Sequence, residues 1–303
     1  MNKMKLKILF SVLPAIFWVG FVQAEELTGV LATPTSFYDL KTKKITQKND
    51  YPGLNRVSSY DSILKYKNYL FFSGAQLATT TQNYQYGLSF MYDINTQQLQ
   101  KLPYSVYWYF PNKNWIVTNY GIYDLTTEST KNVLQKNDFT QKSDFFGGYG
   151  SVSYSYTGPY FYYINKDDML TERNAETLKD EPLFDFKESA FKEKLGKIDL
   201  GPRSPNGRYI AFKYDRGLYY IDLETKKIES AYQRSFADLF NRGLRDNELF
   251  WDKDSKYILF TADLVWFNFH YGRWDFYAYN IETRQMTKVN EVSWDYAFWY
   301  SWE

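Results

Sequence analysis

Short apolar stretches alternate with polar turns along most of this chain. Residues 204–228, SPNGRYIAFKYDRGLYYIDLETKKI, contain a polar turn, an apolar strand, a second strand and an Asp-x-x-Thr turn in that order. Short apolar or alternating runs bounded by Pro, Asn, Gly and Asp are typical of β-strands joined by tight turns. The pattern therefore predicts an antiparallel hairpin with a turn on each side.

Both halves of this pattern recur along the chain. A polar turn followed by an aromatic residue and a short apolar strand occurs at residues 66–72, 110–118, 156–164, 204–212 and 252–260. A strand that closes on Asp or Asn, with Thr three residues later, begins at Tyr38, Tyr92, Tyr123, Ile221 and Tyr279, and more weakly at Arg173. Because an Asx side chain accepts backbone N–H groups just after it, we interpret these residues as turn-forming rather than catalytic.

The spacing of the repeat predicts an all-β protein, a six-bladed β-propeller of four-stranded antiparallel blades. From Asp39 to Asn280 the units average about 48 residues, close to the length of one blade. In the fifth unit we expect strand A around 198–200, B at 209–212, C at 218–222 and D from near 227.

The two ends of the chain complement each other. Residues 27–34 and 36–45 supply strands B, C and D with no strand A, whereas residues 292–303 supply a spare strand A. Pairing of the C-terminal strand with the N-terminal blade would close the ring and remove exposed sheet edges.

The quoted motifs resemble the repeats of TolB-type and WD-repeat β-propellers. In those families a Ser-Pro-Asp-Gly-Lys turn joins strands A and B, and an Asp-x-x-Thr-Gly turn joins C and D. The resemblance is good at residues 204–227, fair at 110–127 and 252–283, and covers most of the chain as a pattern. It implies an architecture and not an activity. The Gly-His dipeptide of WD repeats, the extra N-terminal domain of TolB and any peptidase domain are missing.

Composition and the N-terminus indicate an exported protein. Lys3, Lys5 and Lys7 precede an apolar run from Ile8 to Val22, so we expect a signal peptide at residues 1–24, cleaved after Ala24, and a single propeller domain at 25–303. Removing three lysines from 36 basic residues leaves 33 against 35 acidic residues, a net charge of −2 that suggests no nucleic-acid partner. The export signal predicts a periplasmic or secreted protein. Because the chain has no cysteine, we expect the hydrophobic core rather than disulfides to stabilise its fold.

Alternating strand direction puts the A–B and C–D turns on one face of the disc and the B–C and D–A connections on the other. All five long segments, 73–86, 137–150, 184–197, 230–245 and 261–275, fall on the second face, and loops of this kind concentrate binding functions. We therefore predict that this face binds a partner or ligand. The candidate binding residues are Tyr84, Tyr86, Phe145, Phe146, Tyr149, Arg242, Arg245, Trp266, Phe267, His270, Arg273 and Trp274.

Two of these segments have apolar residues at helical spacing. Residues 185–197 and 235–244 are predicted to be partly helical and to lay their apolar side chains on the disc. These side chains are Phe186, Ala190, Phe191 and Leu195 in the first segment, and Phe236, Leu239 and Phe240 in the second. A partner-binding role for either helix remains an alternative.

Catalytic chemistry has little support. His270 is the only histidine, no nucleophile or metal-protease motif occurs, and we expect no metal or cofactor. Carboxylates in connecting segments could in principle support glycoside chemistry, although nothing pairs them in sequence. These are Asp144, Asp167, Asp168, Asp215, Asp263 and Asp275, with Asp167 and Asp168 better explained by a hairpin turn.

The function predicted from these features is binding of a protein partner through the long-loop face by a non-catalytic protein, without membrane insertion after cleavage. An envelope-complex component or a toxin-immunity protein are specific forms of this hypothesis. The alternative is a carbohydrate-binding protein, or a glycoside hydrolase or lyase, that uses aromatic platforms and a carboxylate pair, with a glycan as its partner.

Overall fold

The computed structural model describes residues 27–33, 36–52, 54, 57–59, 62–78, 84–118, 121–139, 152–193, 195–215, 217–233, 243–263, 275–289 and 299–301. These residues form β-strands joined by turns and by three short 3₁₀ turns, at Lys48–Asp50, Lys136–Asp138 and Leu195–Lys197. No helix within these ranges is long and apolar enough to cross a membrane.

Twenty-five strands follow one another within these ranges. The first twelve are β1 (Val30–Ala32), β2 (Ser36–Asp39), β3 (Ile45–Gln47), β4 (Val57–Ser59), β5 (Ser62–Tyr66), β6 (Tyr69–Ala78), β7 (Tyr84–Asp93), β8 (Gln98–Leu102), β9 (Trp108–Phe110), β10 (Trp115–Val117), β11 (Gly121–Asp124) and β12 (Ser129–Asn132). The others are β13 (Val152–Tyr154), β14 (Tyr160–Ile164), β15 (Met169–Asn174), β16 (Asp180–Asp185), β17 (Asp199–Arg203), β18 (Tyr209–Tyr214), β19 (Gly217–Asp222), β20 (Lys227–Tyr232), β21 (Gly243–Trp251), β22 (Tyr257–Asp263), β23 (Asp275–Asn280), β24 (Gln285–Lys288) and β25 (Trp299–Ser301).

The strands form six antiparallel sheets, which are the six blades of a β-propeller, so the predicted fold class is confirmed. Within each blade we name the strands A to D in sheet order. Blade 1 has the order β25-β1-β2-β3, and blade 2 contains β4 to β8. Blades 3 to 6 are four consecutive strands each, from β9–β12 to β21–β24.

Blades 1 and 2 depart from the simple repeat in different ways. In blade 1, β25 pairs with β1, with Val30 opposite Ser301 and Ala32 opposite Trp299, so one sheet contains strands from both ends of the described chain. In blade 2, two short strands, β4 and β5, pair in succession with the long β6 and share the position of strand A. Blade 2 therefore has five strands, one more than predicted.

The predicted strands of the fifth unit agree with blade 5. Strands β17 to β20 match the expected A to D strands in order, and β18 pairs with β19 from Tyr209–Asp222 at the open end to Tyr214–Gly217 beside the connecting turn. Gly207 in the Pro-Asn-Gly turn has a φ of +76°, a conformation that glycine adopts without the steric cost of a Cβ.

The repeated Asx residues form the C–D turns, as predicted. Asp124 Oδ1, for example, accepts the backbone N–H groups of Thr126 at 2.7 Å and Thr127 at 3.2 Å. The same acceptor role recurs at Asp39, Asp93, Asn174, Asp222 and Asn280. These bonds close each turn locally, so the side chains have a structural purpose.

Each C–D turn also contains a residue with left-handed backbone. It lies four positions after the Asx residue, where the TolB-type and WD repeats that this turn resembles have glycine. The six residues are Lys43, Gln97, Glu128, Leu178, Lys226 and Arg284, with φ between 54° and 59°. None of them is glycine, so each turn keeps a modest steric cost from its Cβ.

The hydrophobic core lies between the blades rather than inside one sheet sandwich. Six clusters of buried side chains each join two neighbouring blades. One of them packs Leu31 and Leu40 of blade 1 against Phe250, Leu259 and Phe276 of blade 6. Blade 6 is therefore joined to blade 1 by packing as well as by chain connectivity.

The helix predicted at residues 185–197 does not form. Strand β16 extends to Asp185, turns follow, and only Leu195–Lys197 is a 3₁₀ turn. The Ser189 hydroxyl donates to Phe186 O at 2.7 Å and accepts the Phe191 N–H at 3.2 Å, and such local side-chain bonds compete with a helix.

The prediction that this segment covers the disc is confirmed for three side chains. Phe186 and Leu195 are buried, and Phe191 is half-buried in the core between blades 4 and 5. Ala190 is exposed, contrary to the prediction. In the second predicted helix, residues 235–242 lie outside the described residues, and Gly243 and Leu244 begin strand β21.

Candidate functional site at the long-loop face

The antiparallel blades give the molecule two chemically different faces. We call the face with the A–B and C–D turns the short-turn face, because its described turns have two to five residues between strands. The opposite face, the long-loop face, contains the B–C and D–A connections. These reach 19 residues, from 133 to 151, and 13 residues, from 186 to 198.

Most of the predicted binding residues lie outside the described residues. These are Phe145, Phe146, Tyr149, Arg242, Trp266, Phe267, His270, Arg273 and Trp274. The other three belong to strands: Tyr84 and Tyr86 are in β7, and Arg245 is in β21. Their backbone positions are at or near strand ends on the long-loop face.

The predicted long segments are partly strand. Strand β6 continues through Ala78 and β7 begins at Tyr84, so the connection predicted over 73–86 shrinks to residues 79–83. The pairing shifts register between Phe72 and Leu77, and Gly74 and Gly87 both have positive φ. Because of these irregularities, the strand does not follow a strict alternation of apolar and polar residues, and its sequence pattern did not identify it as a strand.

Aromatic side chains connect several blades near the short-turn face. The backbone N–H of Trp251, in blade 6, donates to the Tyr156 hydroxyl of blade 4 at 3.1 Å, so Tyr156 contacts a blade two units further along the ring. The Trp108 ring of blade 3 lies 5.0 Å from the Tyr156 ring, and Trp251 Nε1 donates to Pro202 O of blade 5 at 2.9 Å. Blades 3, 4 and 6 thus meet at Tyr156, and Trp251 connects blade 6 to blade 5.

Burial raises the pKa of Tyr156 far above its usual value, so its phenol stays protonated at any physiological pH. Sequence reasoning missed this residue, which lies in one of five similar A–B turns. The signal available was the departure of its turn, YTGPY, from the Pro-Asn-Gly form of the quoted repeat.

Ion pairs tie the strand ends on the long-loop face. Lys213, which is only 5% exposed, places its Nζ 3.1 Å from Asp199 Oδ2, and the two residues face each other across β17 and β18. Lys288 Nζ lies 2.9 Å from Asp275 Oδ2, joining the ends of β23 and β24. Each pair holds together the open end of a hairpin whose other end is a short turn.

Asp275 also contributes a free acceptor at the start of β23. Its side chain is buried, and Oδ1 has no hydrogen-bond partner among the residues that the structure describes. A buried carboxylate oxygen without a donor is unfavourable, and such groups are often satisfied by a ligand or water. Asp275 immediately follows residues 264–274, the segment with the most candidate binding residues.

The other candidate carboxylates have turn or strand positions. Asn165 Oδ1 accepts the Asp167 N–H at 2.9 Å, and Asp168 has a φ of 61°, which confirms the hairpin turn predicted for this pair. Asp215 lies in the B–C turn of blade 5, and Asp263 ends β22. Asp144 lies outside the described residues.

The described carboxylates with altered pKa values serve the fold. Arg208 and two backbone N–H groups hold the pKa of Asp222 below its usual value. Burial raises the pKa of Asp252, although its carboxylate accepts the N–H groups of Lys256 and Tyr257 in the A–B turn. Both residues belong to the short-turn face, where the carboxylates close turns.

Metal chemistry finds no ready ligand set among the residues that the structure describes. They contain no group of three or more His, Cys, Asp or Glu side chains placed to hold a metal ion.

No family model and no curated protein matches the sequence. Solved structures with a similar fold include a TolB from Agrobacterium tumefaciens, at 10% identity, a TM-score of 0.49, and coverage of 87% of this chain and 88% of that one. An oligogalacturonate lyase from Vibrio parahaemolyticus has 12% identity, a TM-score of 0.48, and coverage of 86% and 74%. An oligogalacturonate lyase in complex with manganese has 11% identity, a TM-score of 0.47, and coverage of 86% and 73%.

At such low identities the likeness concerns the arrangement of strands and says nothing of ligands or activity.

Proposed function

We propose that this chain is a non-catalytic, periplasmic or secreted propeller that binds a protein partner through its long-loop face. The observation that carries the proposal is the asymmetry of the two faces. Only short turns connect the strands at the short-turn face, where Tyr156 of blade 4 accepts the Trp251 backbone N–H of blade 6. The long connections and the candidate aromatic residues belong to the opposite face.

The charges of the described residues support binding rather than catalysis. Half-buried Asp199 and buried Asp275 have lysine partners, and Glu172 pairs with Arg203 at 2.7 Å. A general acid at neutral pH needs a carboxyl group whose pKa is raised and which faces a substrate. Asp252 has a raised pKa but is held within its own turn.

The proposed location follows from the leader and the composition. The basic and apolar pattern of residues 1–24 is that of a cleaved export signal, and the large aromatic content can supply a core without disulfides. A protein of this kind would find its partner in the envelope or outside the cell, as an envelope-complex component or an immunity protein against a toxin would.

The test is affinity capture of partners from an envelope extract of the source organism, followed by reconstitution with the purified partner. One variant has residues 264–274 replaced by a short Gly-Ser linker, which removes aromatic anchors of the type that dominate protein interfaces. The matched control, Glu128→Lys, changes an exposed residue of a C–D turn on the short-turn face.

We expect the linker variant to lose the partner and the Glu128→Lys variant to keep it. Equal recovery by the intact protein and the linker variant would overturn the assignment to this face. Binding to a glycan array without any protein partner, or hydrolysis of an oligosaccharide, would replace the proposal with the carbohydrate alternative.

A further inference from the structure

A groove runs along the outer side of the interface between blades 4 and 5. Its volume is about 800 Å³, within the usual range of ligand-binding pockets. One wall is β16, the other is formed by β19 and β20, and residues 188–191 cover the end at the long-loop face. The groove is therefore continuous with the face that we propose as the binding surface.

The groove has an apolar lining, formed by Met169, Leu183, Phe184, Phe191, Tyr219 and Ile228. Phe191 is held in place by edge-to-face contacts with Phe212 at 5.3 Å, Tyr214 at 5.2 Å and Tyr219 at 5.1 Å. Edge-to-face aromatic pairs at these distances are favourable. The wall is thus fixed before any ligand arrives, which lowers the entropic cost of binding.

The charges in the groove are unevenly placed. Asp185 and Glu188 lie at the end near the long-loop face, and both are exposed. Neither carboxylate forms an ion pair with any residue that the structure describes, although Asp185 Oδ1 accepts the Lys187 N–H at 2.9 Å. The positive charge, Lys226, is at the other end, where its Nζ donates to Leu183 O at 2.8 Å. The two carboxylates are therefore available to a cation.

The shape of the groove suits an extended chain. Strand β16 is the outermost strand of blade 4, so no other described strand pairs with its outer edge. An extended peptide can lie along such an edge, with main-chain hydrogen bonds for affinity and side-chain pockets for specificity. Lys226 covers only one carbonyl of this edge, that of Leu183.

We propose that this groove binds an extended peptide segment in which an apolar side chain lies next to lysine or arginine. The apolar side chain packs on Phe191 and Tyr219, and the cation lies between Asp185 and Glu188. The assignment of this segment to the protein partner rests on the function proposed above, but the groove can be tested without that partner.

The test measures fluorescence anisotropy of labelled peptides with the full mature chain at low salt. The probe has the core Lys-Phe-Lys in a Gly-Ser frame, and its controls have Glu-Phe-Glu and Lys-Gly-Lys at the same place. We expect Lys-Phe-Lys to bind more tightly than both controls. We also expect its affinity to fall as salt rises, because exposed charges are screened.

Three variants locate the site. Glu188→Gln should weaken binding by about two- to fivefold, as expected for loss of an exposed ion pair. Ala190→Arg puts a bulky cation in the groove at an exposed position and should weaken binding by at least about tenfold. The control Glu181→Gln changes an exposed carboxylate on the same strand, outside the groove, and should have no effect.

No binding of Lys-Phe-Lys at millimolar peptide, or equal binding by the intact protein and Ala190→Arg, would overturn the proposal. Competition by a neutral oligosaccharide instead of by unlabelled peptide would also overturn it, in favour of a glycan site. If Ala190→Arg loses the peptide but keeps the captured partner, the groove stands and is separate from the partner interface. If only the linker variant loses the partner, the proposed function stands and the groove is not part of the partner interface.

Discussion

The C–D turns of the short-turn face and the hairpin ends of the long-loop face stabilise carboxylates in different ways. On the short-turn face, Asp124 Oδ1 accepts N–H groups two and three residues further on, within its own turn. On the long-loop face, Asp199 pairs with Lys213 and Asp275 with Lys288, each from a neighbouring strand. The first arrangement is local and recurs in all six C–D turns, with Asp in four and Asn in two, whereas each ion pair depends on contacts that occur once.

This difference teaches where the molecule tolerates change. A local turn can lose one hydrogen bond without disturbing any other blade, so its substitutions should have small effects. A buried ion pair that closes a hairpin has no second copy, and loss of one partner leaves the other charge buried. We therefore expect the effect of substitutions to follow the type of contact, and the predictions below test that expectation.

The largest effect is expected at Lys213. Lys213→Met leaves the Asp199 carboxylate without its cation in a mostly buried position, and should lower the free energy of unfolding by about 3 kcal/mol. Urea unfolding followed by tryptophan fluorescence measures this change. The control Lys227→Met alters an exposed lysine of the same blade and should change stability by less than about 0.5 kcal/mol. Similar changes in the free energy of unfolding for the two variants would show that the ion pair on the long-loop face contributes no more to stability than an exposed lysine.

Tyr156→Phe tests the hydrogen bond between blades 4 and 6. The variant keeps the ring but removes the oxygen that accepts the Trp251 N–H, leaving a buried donor unsatisfied. We expect a loss of about 1–2 kcal/mol in the free energy of unfolding. The control Tyr104→Phe removes a hydroxyl from a tyrosine that is 43% exposed and should be neutral. No loss in Tyr156→Phe would mean that the contact across blade 5 contributes little to ring stability.

Asp222 gives a test by pH. Arg208, 2.7 Å away, holds the pKa of Asp222 below its usual value, so the folded state favours the charged form. This contribution is present above the unfolded pKa of about 3.9 and is lost as pH falls through the lower folded pKa. Asp222→Asn should keep the turn, because blade 6 has Asn280 at the same position.

We expect Asp222→Asn to be less stable than the intact protein by about 0.5–1 kcal/mol near pH 7, a small value because water screens the half-exposed guanidinium. Unfolding in urea from about pH 7 to about pH 3 should show the difference shrinking below about pH 4. A difference that is constant over this range would show that the ion pair does not stabilise the short-turn face.

The same contrast explains what could be predicted from sequence. The turns of the short-turn face were predictable because the Asx residue and its hydrogen-bond donors are two or three residues apart and the spacing recurs. The pair Asp199 and Lys213 has no such repeat, and Tyr156 reaches a blade two units away. The groove is formed by strands of two blades, so no single stretch of sequence contains all of its lining residues.

The helix predicted at residues 185–197 shows a second limit. Its apolar residues have helical spacing, yet Phe186 and Phe191 are positioned by packing between blades 4 and 5 and by the bonds of Ser189. Periodicity identifies which side chains are covered, and it does so correctly for Phe186, Phe191 and Leu195. It does not identify the backbone conformation when a short segment is held mainly by tertiary contacts.

The smallest predicted effect is on the short-turn face, where two adjacent glutamines give a matched pair. Gln97 has a φ of 57°, the left-handed conformation at which the related repeats have glycine, whereas Gln98 begins strand β8. Gln97→Gly removes the steric cost of the Cβ but adds entropy to the unfolded chain, so we expect a net gain of about 0.5 kcal/mol. Gln98→Gly adds the same entropy without relieving any strain and should lose about 0.5–1 kcal/mol. Urea unfolding measures the free energy of unfolding of both variants. A gain for Gln97→Gly with a loss for Gln98→Gly would show that the Cβ at the left-handed position destabilises the C–D turn. Equal losses would show that the backbone at Gln97 is not strained.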